Sequence, residues 1–296
     1  MKQMIPALIT IFLVSCGNVK KEKPHPLPDN DSTAVQTDSQ RLQGIWRKRE
    51  ENERADSIRM AGVLQKALDS AYRNIQSPTF KKSFTLVPDG LYPVEIKLAY
   101  NNFFSKDLKH LIVHMSQPSN EHVEVPGEYI NIYVKHNSGF KQVLVHKEWS
   151  NTYTNDTLQD VNGDGLQDVV INGYGSNGCC LKAFAEVYLY LPQTGTFSEM
   201  FDFINPTFSG KEKVVRGVAY GHLGETEMYK YKWNGTGLDT LEYISFEKDE
   251  KDKRTGKIIR SIVQNNNKEA TIKQRLNQVP AEYRHIYGYN WFLGIL

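Results

Sequence analysis

Residues 160–171 read DVNGDGLQDVVI, and two patterns meet in them. Asp160, Asn162, Asp164, Leu166 and Asp168 stand at positions 1, 3, 5, 7 and 9, with glycines at 163 and 165. Calcium is a hard ion that takes roughly six to eight oxygens, and a short loop supplies them only if alternate side chains converge. Gly165 would take the sharp turn that brings the loop round, and Leu166 would offer its carbonyl while its side chain enters the core. Three carboxylates this close repel one another unless a cation sits between them. Position 12 is Ile171 rather than the bidentate glutamate of a helix–loop–helix site, and DVVI continues as a strand. The stretch therefore predicts a calcium loop opening a β-strand, with the ion serving architecture rather than catalysis. Magnesium, which keeps its waters and demands stricter geometry, suits the loop less. The plain alternative is a solvated Asp/Asn/Gly turn.

Outward from that strand the period is two. KSFTLVP, VEIKLAY, KHLIVHM, YINIYVK and KQVLVHK precede it, and AEVYLYLP, VVRGVAY, MYKYKW and TLEYISFE follow, all rich in Val, Ile, Tyr and Phe. Turns at Pro88-Asp89-Gly90, Asn137-Ser138-Gly139, Gln193-Thr194-Gly195 and Asn234-Gly235 separate them. Three hairpins, 131–145, 186–201 and 228–243, share a Tyr-bearing strand, a turn containing glycine and a second strand opening on an apolar residue. Recurrence of that kind predicts a mainly β, propeller-like fold of antiparallel hairpins, with a β-sandwich as the alternative. Residues 257–279 read as one strand and a short helix, and YRHIYGYNWFLGIL as a tail docked on the core.

Upstream the pattern is helical. Ile58, Ala61, Leu64, Leu68, Ala71 and Ile75 fall at steps of three and four, one stripe on a helix over 56–76, preceded by glutamates interleaved with arginines. The N-terminus is different again. Lys2 is followed by an apolar run from Met4 to Val14 and then Ser15, Cys16 and Gly17, the shape of a secretory signal. LVSC, residues 13–16, resembles the lipobox of bacterial lipoproteins, which implies cleavage before Cys16 and acylation of its thiol. Residues 17–40 carry prolines and almost no large apolar side chain, so they read as a flexible tether. The expected division is a signal peptide at 1–15, lipidated Cys16 and tether at 16–40, a charged helical segment at 41–78 and a calcium-binding β domain at 79–296.

The chain has 296 residues, 40% hydrophobic and 24% charged, enough for a sizeable core, and its net charge of +2 argues against nucleic acid as a partner. Once Cys16 is acylated only Cys179 and Cys180 remain, and adjacent cysteines in an oxidising compartment can close a vicinal disulfide or stay free. No catalytic signature of the G-x-S-x-G, H-E-x-x-H or P-loop kind occurs. His110 and His114 are four apart, but in a strand context they read as two side chains on one face. Glu225 and Glu227, which would share a strand face, and Asp202 are the residues a glycan hydrolase could use. Trp233 reads as hairpin packing rather than a sugar platform.

The loop pattern D-x-[DN]-x-D-G-x-x-D resembles the calcium loops of FG-GAP and integrin-type propeller repeats. Together with Tyr188-Leu189-Tyr190, Gly195-x-Phe197, Asn205-Pro206-x-Phe208 and Trp233-Asn234-Gly235 it is similar to a family of bacterial periplasmic lipoproteins. Some of those are immunity proteins that inhibit lysozyme-like, peptidoglycan-cleaving effectors. The resemblance spans residues 160 to about 240 and implies a calcium-bearing β domain, outer-membrane anchoring on the periplasmic side and a protein partner in the envelope. The expectation is a non-enzymatic binding module, with a glycan-active hydrolase or a purely structural envelope lipoprotein as alternatives.

Overall fold

The computed structural model describes residues 38–88, 92–117, 127–137 and 139–295. The signal segment, Cys16, the tether up to residue 37 and the turn at 89–90 lie outside the described residues. The chain divides into two compact units, Met1–Asn52 and Glu53–Leu296. The long helix α1, Asp38–Asn74, starts in the first and ends in the second. Among the described residues no helix is long and apolar enough to cross a membrane.

Helix α1 starts inside the stretch expected to be tether. Of that stretch only residues 38–40 are described, and they form the helix's first turn, ahead of the expected helical segment whose Arg and Glu are good helix formers. Its buried face is Met60, Val63, Ala67, Ser70 and Ala71, flanked by half-buried Leu64, Leu68 and Ile75. The expected stripe was therefore misphased at its start. Ile58 and Ala61 are exposed, and Met60 and Val63 do their work.

The second unit holds all the strands among the described residues, and every pairing is antiparallel. The first sheet is a meander of β1 (Phe80–Leu86), β2 (Val94–Asn101), β3 (His110–Gln117), β4 (Gly127–His136) and β5 (Gly139–Trp149). In β2 the buried Val94, Ile96, Leu98 and Tyr100 alternate with Glu95 and Lys97, and this face lies against α1. The second sheet has the order β11 (Phe201–Ile204), β8 (Ala183–Tyr188), β7 (Asp168–Tyr174), β6 (Tyr153–Gln159). Apart from the larger sheets, the short strands β9 (Tyr190–Leu191) and β10 (Thr196–Phe197) pair on their own. The third is a second meander of β12 (Pro206–Ser209), β13 (Val214–Val218), β14 (Met228–Asn234), β15 (Gly237–Lys248), β16 (Arg254–Ser261) and β17 (Ile272–Leu276).

Four apolar layers hold this stack. Beyond the α1 layer, Ile130, Ile132 and Leu144 of the first sheet meet Val169, Ile171 and Tyr188 of the second. On the other face of the second sheet, Val170, Ala185, Val187 and Phe203 meet Val215, Tyr229 and Trp233 of the third. The far side of the third sheet is closed by the C-terminal tail through Tyr283, Ile286 and Phe292. Strand β7 lies between two of these layers, which is why DVVI is buried throughout instead of alternating.

This arrangement corrects the propeller expectation. The outer faces of the first and third sheets are covered by α1 and the tail, so the described sheets stack in a sandwich-like order without closing on each other. Nor are the three hairpins equivalent. The first ends a five-stranded sheet, the second is split between β8–β11 and β9–β10, and the third lies inside a six-stranded sheet. Nor is the turn chemistry shared by all three: Gly195 and Gly235 take positive φ in the second and third, whereas in the first it is Asn137 that does so.

Candidate functional site

The Asp160–Asp168 segment forms the loop between β6 and β7, closed by its own backbone amides. Asp160 accepts from Gly163 (2.6 Å), Asp164 (3.2 Å) and Gly165 (2.9 Å). The Asp164 N–H also lies 3.1 Å from Asn162 Oδ1, and Leu166 N–H donates to Asp164 Oδ1 at 2.8 Å. Gly163 and Gly165 carry φ of +74° and +86°, left-handed geometry that a Cβ disfavours. Gly163 has a further constraint, since a Cβ there would lie 2.2 Å from the Gly210 carbonyl oxygen in the turn between β12 and β13.

Asp168 is the buried end of the loop. Its two carboxylate oxygens accept the N–H of Val161 (3.0 Å) and of Tyr190 (2.9 Å), tying loop, β7 and β9 together. Burial pushes its carboxyl up to about 7, the two amides oppose this, and the charges of Asp164 and Asp160 add to it. Val161 enters the layer between the second and third sheets, whereas Leu166 enters the layer between the first and second. One nine-residue loop thus anchors in two cores.

Four side chains and the Leu166 carbonyl are all oxygen donors, and a buried, charge-crowded carboxyl is what a divalent cation would relieve. The donor set therefore fits calcium in kind. The three carboxylates are nevertheless not drawn together. Among the described residues, the groups of three His, Cys, Asp or Glu ligands whose atoms all lie within 4.8 Å are Cys179–Cys180–His222 and His146–Glu148–Glu186.

The other candidates separate. His110 and His114 do share a face of β3, but their fates differ. His110 is fully buried against Phe104 and Tyr190 with neither ring nitrogen hydrogen-bonded, and burial pushes it down to about 4, opposed by the Leu108 backbone. His114 instead faces Glu128 (2.8 Å) and Asp156 (3.5 Å). Glu225 and Glu227 stand in a loop rather than on a strand, so strand alternation does not pair them. Both line a cavity of ≈ 250 Å³ with Asn265, Asn266 and Ser245. Glu227 is buried, which raises its pKa, and accepts the Asn265 N–H, whereas Glu225 is exposed. Asp202 lies on β11 opposite Glu186, far along the chain from either. Trp233 is buried edge-to-face on Phe201, at 5.1 Å, as hairpin packing requires. Cys179 and Cys180 are free thiols 2.8 Å apart, with the His222 ring 3.4 Å from Cys179.

Sequence reasoning missed a polar seam between the first and second sheets. Glu128 accepts from Ser116 (2.7 Å) and Ser150 (3.0 Å) as well as facing His114. Burial pushes Glu128 up, yet these hydrogen bonds outweigh it and hold the carboxyl below its usual range. Asp156 accepts from Tyr153 at 2.5 Å. A cavity of ≈ 520 Å³ opens over His114, Ser116, Glu128, Tyr153 and Asp156. Farther along, His146 stands 3.0 Å from the Tyr188 hydroxyl and 3.5 Å from Glu186. Burial, then the charges of Glu148 and Asp202, raise Glu186 to about 7.

No family model matches the chain, and no curated protein does. Among solved structures, the chain is weakly similar to a Xanthomonas type IV secretion system related protein, at 12% identity and a TM-score of 0.29, over 68% of this chain and 98% of the other.

Proposed function

We propose that the protein is a lipid-anchored module of the cell envelope whose β domain is braced by calcium at Asp160, Asn162, Asp164, Leu166 and Asp168. It acts by binding a protein partner, a peptidoglycan hydrolase, rather than by catalysis. One observation carries the bracing role: Val161 and Leu166, on either side of the loop's turn, enter different apolar layers. An ion that fixed the loop would therefore fix the stacking of all three sheets. The anchor rests on the LVSC stretch ending at Cys16, and the partner rests on the lipoprotein resemblance.

Thermal unfolding in excess chelator, with and without calcium added back, tests the brace. A ligand held only by the folded state at about 100 times its Kd contributes about 2.7 kcal/mol. For a chain of this size that corresponds to a Tm shift of roughly 5–10 °C. An unchanged Tm would leave the loop an ordinary turn. Capture from envelope extract by the full chain, followed by a wall-clearing turbidity assay, tests the partner. Recovery of a hydrolase that the protein inhibits supports the reading. A second reading, a glycan-active hydrolase, draws on the cavity shared by Glu225 and Glu227. Wall clearing by the pure protein, abolished in Glu227→Gln, would establish it and overturn the first.

A further inference from the structure

We propose that His146, Glu148 and Glu186 form a site for a divalent transition-metal ion of the zinc class, separate from the Asp160–Asp168 loop. The three residues come from β5 and β8, so the site bridges the edge strand of the first sheet and the second sheet. One potential ligand atom from each lies within 4.8 Å of the other two.

Two orphaned atoms point to a ligand. His146 is 4% exposed, yet its Nε2 has no hydrogen-bond partner, and neither has the buried Oε2 of Glu186 that it faces. They stand 3.5 Å apart, too long for a well-made N–H···O bond. Nitrogen and oxygen ligands at roughly 2.0–2.1 Å from a tetrahedral zinc ion are about 3.3–3.4 Å from each other, close to this spacing. Two polar atoms buried face to face without a bond carry a desolvation cost that a shared cation removes.

The supporting contacts agree. The Tyr188 hydroxyl lies 3.0 Å from His146 Nδ1, where it can accept the Nδ1 proton and leave the Nε2 lone pair turned toward the carboxylates. Glu148 is oriented through Oε1, which accepts the Trp149 N–H (2.8 Å) and the Thr152 hydroxyl (2.7 Å), so its other oxygen is free for the ion. A neutral imidazole with two carboxylates balances a double positive charge. The imidazole also selects against calcium and magnesium, which prefer oxygen alone. The Glu186 side chain is 18% exposed, so water can fill a fourth position.

The test uses the full chain in millimolar calcium, titrated with zinc by calorimetry and with cobalt by visible absorption. One equivalent of zinc should bind, and cobalt should give the d–d bands of a four-coordinate ion without thiolate charge transfer. Glu186→Gln and Glu148→Gln preserve shape, and each should weaken zinc binding about 100-fold or more, beyond the usual loss of an outer-shell partner. The double variant Cys179→Ser/Cys180→Ser should bind as the wild type does. Lack of a stoichiometric equivalent would overturn the site, as would wild-type affinity in both glutamine variants. So would loss of binding in the cysteine variant.

Discussion

The loop at 160–168 and the seam between the first and second sheets both bury carboxylates, and they hold them by different means. In the loop the donors are chiefly backbone amides, from Val161, Gly163, Asp164, Gly165, Leu166 and Tyr190, which covalent geometry fixes in place, with one side-chain amide, Asn162, donating to Asp164. In the seam they are side chains, His114, Ser116 and Ser150 around Glu128 and Tyr153 on Asp156, brought in by separate stretches of chain. An amide cannot turn away when its acceptor is lost. A hydroxyl or imidazole can rotate, take water or change protonation. Equal losses of a carboxylate should therefore cost more in the loop than in the seam.

The largest effect is expected at Asp168. Asp168→Ala leaves the buried amides of Val161 and Tyr190 without acceptors, at about 1–3 kcal/mol each, so about 4 kcal/mol in all. Asp168→Asn keeps one acceptor oxygen and should lose about half as much. Urea unfolding at neutral pH measures both. A loss under about 1 kcal/mol for the alanine variant would erase the contrast.

His110 sharpens the comparison as the buried polar group with no good partner of either kind. Its folded pKa is pushed down to about 4 from 6.5, so the unfolded chain takes up a proton that the folded one refuses. Stability on this account is complete above pH 6.5 and falls as pH drops toward 4. His110→Phe, in an aromatic setting of Phe104, Tyr190 and Phe197, removes both the orphan nitrogens and the acid slope. The variant should gain on the order of 2–3 kcal/mol near pH 4 and less at pH 7. A constant difference across that range would mean the ring is solvated.

Glu128→Gln probes the seam directly. It keeps one acceptor but loses the charge that three donors favour, at about 2 kcal/mol at neutral pH. The folded pKa of Glu128 lies below 4.5, so its contribution is present above 4.5 and lost as pH falls through the lower folded value. The gap between wild type and variant should therefore close in acid. A gap that widened there would reverse the assignment.

The same contrast explains what could be read in advance. The loop is local: twelve residues contain its Asp/Asn spacing, its glycines and the strand that follows, and the turn and the strand form there although the three carboxylates do not converge. The ten expected strands are present because their Val, Ile and Tyr alternation is local too. Strands β6, β11 and β12 lay outside the expected set, because short or polar stretches such as YTNDTLQ and PTFS owe their place to neighbouring strands, and the one strand expected within 257–279 is two, β16 and β17. The seam is non-local throughout. His114 and Glu128 come together through the β3–β4 pairing, whereas Glu186 meets His146 only because the second sheet stacks on the first. One trace was available. In β5 the face with Leu144 also carries His146 and Glu148, while Val145 and Trp149 point the other way and stay exposed. A strand with no clean apolar face is a sign of buried polar work.

The smallest expected effect separates the two glycines of the loop. Both have positive φ, but a Cβ on Gly165 meets nothing within 4 Å, whereas one on Gly163 meets the Gly210 carbonyl oxygen at 2.2 Å. Gly165→Ala should thus cost only the left-handed backbone term, about 1 kcal/mol. Gly163→Ala carries the same term plus the displacement of backbone in the turn between β12 and β13. If the two variants unfold at the same urea concentration, the approach of the third sheet to the loop is not what holds Gly163. The loop would then brace the first two sheets alone. If Gly163→Ala falls well below Gly165→Ala, one segment ties all three sheets, and the amide-built region is the keystone of the stack.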